Sequence, residues 1–257
     1  DHRDLHSFPT RRSSDLYPTL SGEQIAHYNQ QGYLVVEKLL TDDEVDAFVR
    51  HETECTDRPR HLQLHREDEE WLDLAQHPMI TGVVQQLLAG HPSIVQTMYM
   101  NKQAQGGTGI ALHQDTHYIR NEPNSLMACW LAMSDTDAGN GGLCVVPGSN
   151  QKGLYEFSKV RDESEHTSWE KDYPMRDRSG KEWAETMHSF DIQGVTDHEV
   201  AKLTVRKGAG VFFTGMTVHG SYANHSTDRP RLAFATHYIR EDTWIYRTDI
   251  QDTIPVR

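Results

Sequence analysis

His113 and Asp115 lie two residues apart in Leu112-His113-Gln114-Asp115-Thr116-His117-Tyr118. On a β-strand, side chains at that spacing leave the same face, ~6–7 Å apart along the backbone. An imidazole beside a carboxylate can fill two adjacent corners of a metal's coordination sphere. The best third ligand is His219, in Val218-His219-Gly220-Ser221. Two His and one carboxylate, with the other positions open, make the facial triad of non-haem Fe(II) oxygenases. A bare His-x-Asp is also an ordinary solvated or packed pair. The chain has 16 His, and His2-Arg3-Asp4 matches the pattern as well. Context has to discriminate.

Arg231 supplies part of that context. It follows His219 by twelve residues, at the start of a late β run. In a jelly roll both can face one interior. A guanidinium fork there can clamp a carboxylate bidentately, which a Lys meets only as a point charge. A keto acid held by its far carboxylate would turn its 2-oxo acid end to the metal. Ser221, two after His219 and on the same strand face, can donate a second hydrogen bond to that carboxylate.

The elements that position these residues follow from the pattern. Residues 1–16 (DHRDLHSFPTRRSSDL) are polar and aperiodic, and read like the translation of a common DNA-sequencing adapter. They are set aside, with His2 and His6, and the natural text is expected to begin near Tyr17. The segment's three Asp and three Arg cancel, so the net charge of −13 is unaffected. Ser21-Gly22-Glu23-Gln24 is a capping box that opens a helix ended by Gly32, and Tyr33 to Leu40 reads as a strand. Thr41-Asp42-Asp43-Glu44 is a second capping box, with Val45, Phe48 and Val49 on one helical face. Asp57 to Glu70 reads as loop. Trp71 to Leu88 has helical spacing broken at His77-Pro78, so two helices are expected, with Gly90 stopping the second.

From Ile94 the text turns to short β runs separated by Gly, Asn and Asp. They cover Ile94 to Lys102, Ile110 to Tyr118, Ser125 to Ser134 and Gly142 to Pro147. Lys202 to Arg206, Gly210 to Thr214 and Leu232 to Ile239 continue the series, with a tight turn at Lys207-Gly208-Ala209-Gly210. The fold class this predicts is mainly β within α+β: a cupin-like jelly roll flanked by N-terminal helices. Residues 17–257 are expected to form one domain. Residues 153–198, a charged excursion carrying Trp169, Tyr173 and Trp183, read as a lid-like insertion.

Composition sets the outer limits. At 257 residues, 36% hydrophobic and 25% charged, the chain can bury one sizeable core. No apolar run nears the ~20 residues of a membrane span. The net charge of −13 argues against nucleic acid or an anionic membrane as partner. A small-molecule substrate, an anionic one included, is compatible with it. Cys55, Cys129 and Cys144 are odd in number and fall at no ligand spacing, so they read as reduced thiols of a cytoplasmic protein.

Taken together, several segments resemble the phytanoyl-CoA dioxygenase family of Fe(II)- and 2-oxoglutarate-dependent oxygenases. They are Gln96-Thr97-Met98-Tyr99-Met100-Asn101-Lys102, Leu112-His113-Gln114-Asp115 and Ala128-Cys129-Trp130-Leu131-Ala132-Met133. Asn140-Gly141-Gly142-Leu143-Cys144-Val145-Val146-Pro147-Gly148-Ser149, His219-Gly220-Ser221 with Asn224, and Arg229-Pro230-Arg231-Leu232-Ala233 complete the set. The resemblance implies a double-stranded β-helix, another name for this jelly roll. It implies iron on His113, Asp115 and His219, 2-oxoglutarate on Arg231 and Ser221, and O2 as co-reactant. It places Met98, Lys102 and Trp130 along the cosubstrate pocket and Gln96 toward the prime substrate. The implied reaction hydroxylates a small organic substrate with release of succinate and CO2.

The chain departs from its likenesses in places. Thr116-His117-Tyr118-Ile119 does not reproduce the signature of the ectoine hydroxylase branch, and Asn150 stands where the family often has His. An extra residue separates His219 from Arg231, which makes Arg229 a second choice of clamp. Asp115 stands where related halogenases carry a small residue, so no chloride site is left and hydroxylation is expected. His117 reads equally as a partner of the ligands or as surface, and His225 and His237 read as packing or surface residues. Two other classes stay open at this level. One is a cupin-like metal enzyme without 2-oxoglutarate, an isomerase or a dioxygenase; the other is a non-catalytic jelly-roll binder. Neither the prime substrate nor the oligomeric state is legible.

Overall fold

The helices lie where local chemistry puts them. In this computed structural model, which describes residues 18–55, 61–160 and 164–257, α1 (Gly22–Gln31) is capped by Ser21 and Gln24 reciprocally. It ends at Gly32 in the left-handed conformation, φ 82°. Helix α2 (Asp42–Glu54) opens on the Thr41/Glu44 capping box. α3 (Glu69–Ala75) and α4 (Pro78–Leu88) break at His77-Pro78, with Pro at the first position of α4. α4 does not stop on Gly90. Ala89 takes the left-handed conformation at φ 51°, and Gly90 serves a close approach instead, since a Cβ there would sit 2.9 Å from Arg240 Cδ. The segment expected to derive from an adapter lies outside the described residues, as do residues 56–60 of the polar loop.

Two antiparallel sheets face one another. Their strands are β1 (Tyr33–Val36), β2 (Pro92–Lys102), β3 (Ile110–His113), β4 (Met127–Ala132) and β5 (Leu143–Val145). They continue with β6 (Ala201–Lys202), β7 (Gly210–Thr214), β8 (His219–Ser221), β9 (Arg231–Arg240) and β10 (Ile254–Pro255). The larger sheet runs β1-β7-β4-β9-β2-β10 and the smaller β6-β5-β8-β3. Together the two sheets form the expected jelly roll. No helix among the described residues is long and apolar enough to cross a membrane.

Alternation along the larger sheet sorts its two faces. Met127, Cys129, Leu131, Phe212, Phe234 and Tyr238 face the helices and join Phe48, Trp71, Leu74 and Val83 in the main core. Phe234 meets Phe48 and Trp71 edge-on, both at 5.1 Å between ring centroids, and Tyr238 Oη donates to Ala75 O at 2.6 Å. Each such side chain taken out of water contributes roughly 1.5–3 kcal/mol. This layer makes the larger sheet a rigid floor. Ala128, Trp130, Ala132, Ala233 and Ala235 face the other way, into the space between the sheets. Four alanines there leave room that larger side chains would fill.

Residues 153–198 are not a bare loop. Glu170–Arg176 pairs with Glu182–His188, and Phe157–Lys159 with Phe190–Ile192. Trp169, Tyr173 and Trp183 are half-buried rather than core. The excursion docks on the turn after β3: Phe190 stacks on Tyr118 at 4.5 Å and its N–H donates to Tyr118 Oη at 2.8 Å.

Candidate metal centre and carboxylate clamp

Strand register brings the two histidines together. β3 and β8 are antiparallel neighbours with His113 directly opposite His219, their ring centroids 4.2 Å apart. Gly220 lets them approach, because a Cβ there would lie 2.7 Å from Ile110 O. Each imidazole is turned by its own backbone. His113 Nδ1 donates to Ala111 O at 2.9 Å and His219 Nδ1 to Thr217 O at 3.0 Å. That fixes the tautomer and leaves both Nε2 lone pairs pointing inward.

Asp115 arrives by another route than the one expected. The strand stops at His113, and Asp115 opens a single helical turn, Asp115–Tyr118, so the pair does not share a strand face. Gln114 causes the break. Fully buried, its Nε2 donates to Met216 O at 2.6 Å and Gly153 O at 2.9 Å, while its Oε1 accepts from Tyr155 N at 2.8 Å. The turn swings Asp115 back, so that Oδ1 lies 3.5 Å from His113 Nε2 and 3.7 Å from His219 Nε2. One ligand atom from each of the three residues falls within 4.8 Å of the others. Burial alone would raise the Asp115 carboxyl, but His219 and His237 beside it, with the hydrogen bond from His237 Nε2, hold it well below the usual range. Burial and the neighbouring His113 push His219 down to about 4. A neutral imidazole and an ionised carboxylate are the forms a metal binds. The donor set fits Fe(II).

The far end of the same interior holds two cations. Arg231 and Lys102 are partners across β9 and β2. Arg231 is 1% exposed; its Nε donates to Gly141 O at 3.1 Å, and its guanidinium lies 5.7 Å from the centre of the Trp130 ring. Its Nη1 is buried without a hydrogen-bond partner. Burial pushes Arg231 down to about 10. Lys102 Nζ donates to Ser221 Oγ at 2.8 Å and Tyr222 O at 2.6 Å. Burial and then the Arg231 charge bring Lys102 down to about 6. Neither cation forms an ion pair among the described residues. A buried guanidinium with an orphaned donor, beside a buried amine that can take up a proton, is what a bound carboxylate would satisfy.

The other expected residues fall as follows. Gln96, Met98 and Lys102 share one face of β2, and Trp130 joins them on the inner face of β4, each positioned by alternation. Arg229 does not face the interior: it is exposed and paired with Asp137 at 2.7 Å. His117 packs its ring on Phe157 and Phe190, beside the triad but outside it. His225 is on the surface beside Glu165. His237 is buried and outside the three-residue cluster, as a packing residue would be, but it touches that cluster, which the sequence reading did not foresee. It is 5% exposed, and its Nε2 lies 3.0 Å from Asp115 Oδ2. The missed signal was parity, since an inward Arg231 on a strand predicts inward Ala233, Ala235 and His237.

The chain is similar to known proteins in sequence and in fold. The family model described as Phytanoyl-CoA dioxygenase (PhyH) matches residues 48–233. The peroxisomal phytanoyl-CoA dioxygenase of Rattus norvegicus is 26% identical over 253 residues, covering 87% of this chain and 69% of the rat protein. Among solved structures, the non-haem α-ketoglutarate-dependent carbocyclase SnoK from nogalamycin biosynthesis superposes with a TM-score of 0.66 at 22% identity, covering 91% of this chain and 88% of that one. EvdO2 of Micromonospora carbonacea var. aurantiaca, complexed with 2-oxoglutarate, gives 0.68 at 14% identity, covering 87% and 92%. At those identities the structures speak for the fold alone.

Proposed function

Because the chain belongs to the phytanoyl-CoA dioxygenase family, we propose that it hydroxylates a small organic substrate through the constellation described above. It is an enzyme of the Fe(II)- and 2-oxoglutarate-dependent oxygenase class. In this reading His113, Asp115 and His219 hold the iron, Arg231 and Lys102 receive the far carboxylate of 2-oxoglutarate, and Ser221 hydrogen-bonds it. Met98 and Trp130 wall the cosubstrate, and Gln96 faces the prime substrate. The observation that carries the proposal is the pairing of a buried two-His, one-carboxylate cluster with a buried, incompletely satisfied Arg231 and the buried Lys102 amine in one inter-sheet interior.

Iron, 2-oxoglutarate and O2 together supply the oxidising equivalent, with 2-oxoglutarate leaving as succinate and CO2. The protein's own contribution is positioning. His113 and His219 present Nε2 because their Nδ1 protons are committed to backbone carbonyls. Asp115 supplies the negative charge. Arg231 orients the keto acid by its far end, and Trp130 keeps water from the guanidinium. An aspartate at position 115 also occupies the place a halide would need, which supports hydroxylation. The reading is tested by titrating 2-oxoglutarate into anaerobic Fe(II)-loaded protein and following the weak visible charge-transfer band. The band saturates in wild type, is absent in His113→Ala, and in Arg231→Ala needs at least about thirtyfold more 2-oxoglutarate. A protein that binds iron and shows no band would instead favour a cupin-like enzyme without 2-oxoglutarate.

Lys102 makes the binding pH-dependent. Below pH ~6 Lys102 is already charged. Above it, binding an anion requires Lys102 to take up a proton, so affinity falls by up to about tenfold per pH unit until the pKa of the complex is reached. Calorimetric titrations at pH 8, in two buffers of different ionisation enthalpy, should count close to one proton taken up per 2-oxoglutarate. Lys102→Met should reduce the count to near zero. Equal counts in both proteins would discard the assignment.

The excursion acts, in this reading, as a lid. Phe190 holds it to Tyr118, next to His113. Phe190→Ala should loosen that contact and raise the ratio of succinate formed to substrate oxidised, because a site open to water loses oxidant unproductively. An unchanged coupling ratio would remove the lid role. The three free cysteines, Cys55, Cys129 and Cys144, support a reducing compartment. The proposed site is the cytoplasm, whereas the rat relative is peroxisomal by name; fractionation of expressing cells decides.

A further inference from the structure

The two oxygens of Asp115 have separate neighbours. Oδ1 faces the Nε2 atoms of His113 and His219, whereas Oδ2 lies 3.0 Å from His237 Nε2. A carboxylate only accepts hydrogen bonds, so the His237 proton sits on Nε2 and is donated. His237 Nδ1 is buried with no partner. A buried ring with one polar atom unsatisfied is a poor packing residue. Its other nitrogen gives it a reason to be there. β9 and its neighbours hold the ring firmly: His237 stands opposite Gln96 on β2 and Ala128 on β4.

We propose that His237 is a positioning residue that holds the iron-ligating carboxylate of Asp115 to a single-oxygen presentation, by engaging Oδ2 so that Oδ1 alone turns toward the ligand nitrogens. The inference rests on the metal-site reading given above. A carboxylate free to rotate can chelate with both oxygens and occupy a coordination position that the co-reactants need. One whose second oxygen already accepts an N–H donates through the first only, and the position stays open. Hydrogen-bonded partners of metal-ligating side chains orient the ligand, and their loss costs ten- to hundredfold in metal affinity.

The test is titration of Mn(II), a redox-quiet stand-in for Fe(II), into the full chain, with thermal denaturation to establish folding. His237→Leu fills the space and has no donor; His237→Gln keeps an N–H donor at a similar reach. Mn(II) affinity is expected to fall at least tenfold in His237→Leu and to stay within about threefold of wild type in His237→Gln. Rescue by the donor separates positioning from packing, which both variants disturb. If His237→Leu fails to fold, His237→Met is measured in its place. A Leu or Met variant that binds Mn(II) within twofold of wild type overturns the proposal, and so does a folded Gln variant as weak as the apolar one. His113→Ala is run beside them. If it also keeps wild-type affinity, the metal site itself has been misassigned, a failure distinct from that of His237.

Discussion

Arg231→Ala weakens 2-oxoglutarate binding by between about thirtyfold and a few thousandfold. Removing one partner of a buried, hydrogen-bonded charge pair costs ~2–5 kcal/mol, and each 1.4 kcal/mol is about tenfold in affinity. The guanidinium is 1% exposed, so water cannot replace it. Arg231→Lys keeps the charge but not the fork, and is expected between the two. The stability effect has the opposite sign. Without ligand, Arg231 is a buried cation with no counter-ion among the described residues and with Nη1 unpaired. Replacing a buried ion pair by apolar side chains of similar volume is often neutral or stabilising by up to ~4 kcal/mol, and an unpaired buried charge has no Coulombic attraction to lose. Loss of the Nε–Gly141 hydrogen bond returns about 1 kcal/mol of that. Arg231→Met should therefore raise the melting temperature of the ligand-free protein, by up to ~10 °C, while abolishing cosubstrate binding. Calorimetric titration and thermal denaturation check both signs. Binding within threefold of wild type in Arg231→Ala would remove Arg231 from the clamp.

The parts of this structure that the sequence discloses are those decided locally. Both capping boxes are short-range exchanges between side chain and backbone, so Ser21/Gln24 and Thr41/Glu44 announce their helices. His77-Pro78 breaks a helix because Pro crowds the residue before it. Asp115 was harder to place. Its strand ends where Gln114 binds Met216 O, 102 residues away, and Gly153 O, 39 away. No local pattern carries that information. Gly90 misled for a related reason: a tertiary contact with Arg240 needs the missing Cβ, and Ala89 takes the strained conformation. The hairpin Glu170–Arg176 with Glu182–His188 gives no apolar alternation because it lies largely exposed. His237 was within reach, as the strand pattern that turns Arg231 inward turns it inward too. Histidines are so common in this chain that composition argued for the bland reading.

Asp115→Asn should separate folding from metal binding most sharply. The substitution preserves shape and removes the only anion among the three ligands. Changes to hydrogen-bonded partners of metal ligands already cost ten- to hundredfold, so losing the ligand carboxylate is expected to exceed a hundredfold in Fe(II) affinity. Succinate release dependent on 2-oxoglutarate should fall to background. The fold should persist, because Gln114 rather than Asp115 anchors the turn and the core lies on the far side of the larger sheet. In wild type the carboxyl is held well below its ordinary pKa, so it contributes stability above the unfolded pKa of ~3.9, and this is lost as pH falls through the folded value. At neutral pH that contribution is present in full, and Asp115→Asn should melt a few degrees lower without metal. Fe(II) added anaerobically then widens the gap, since it stabilises wild type by mass action and the variant scarcely at all. Equal metal-dependent shifts in the two melting temperatures would show that the iron is held elsewhere.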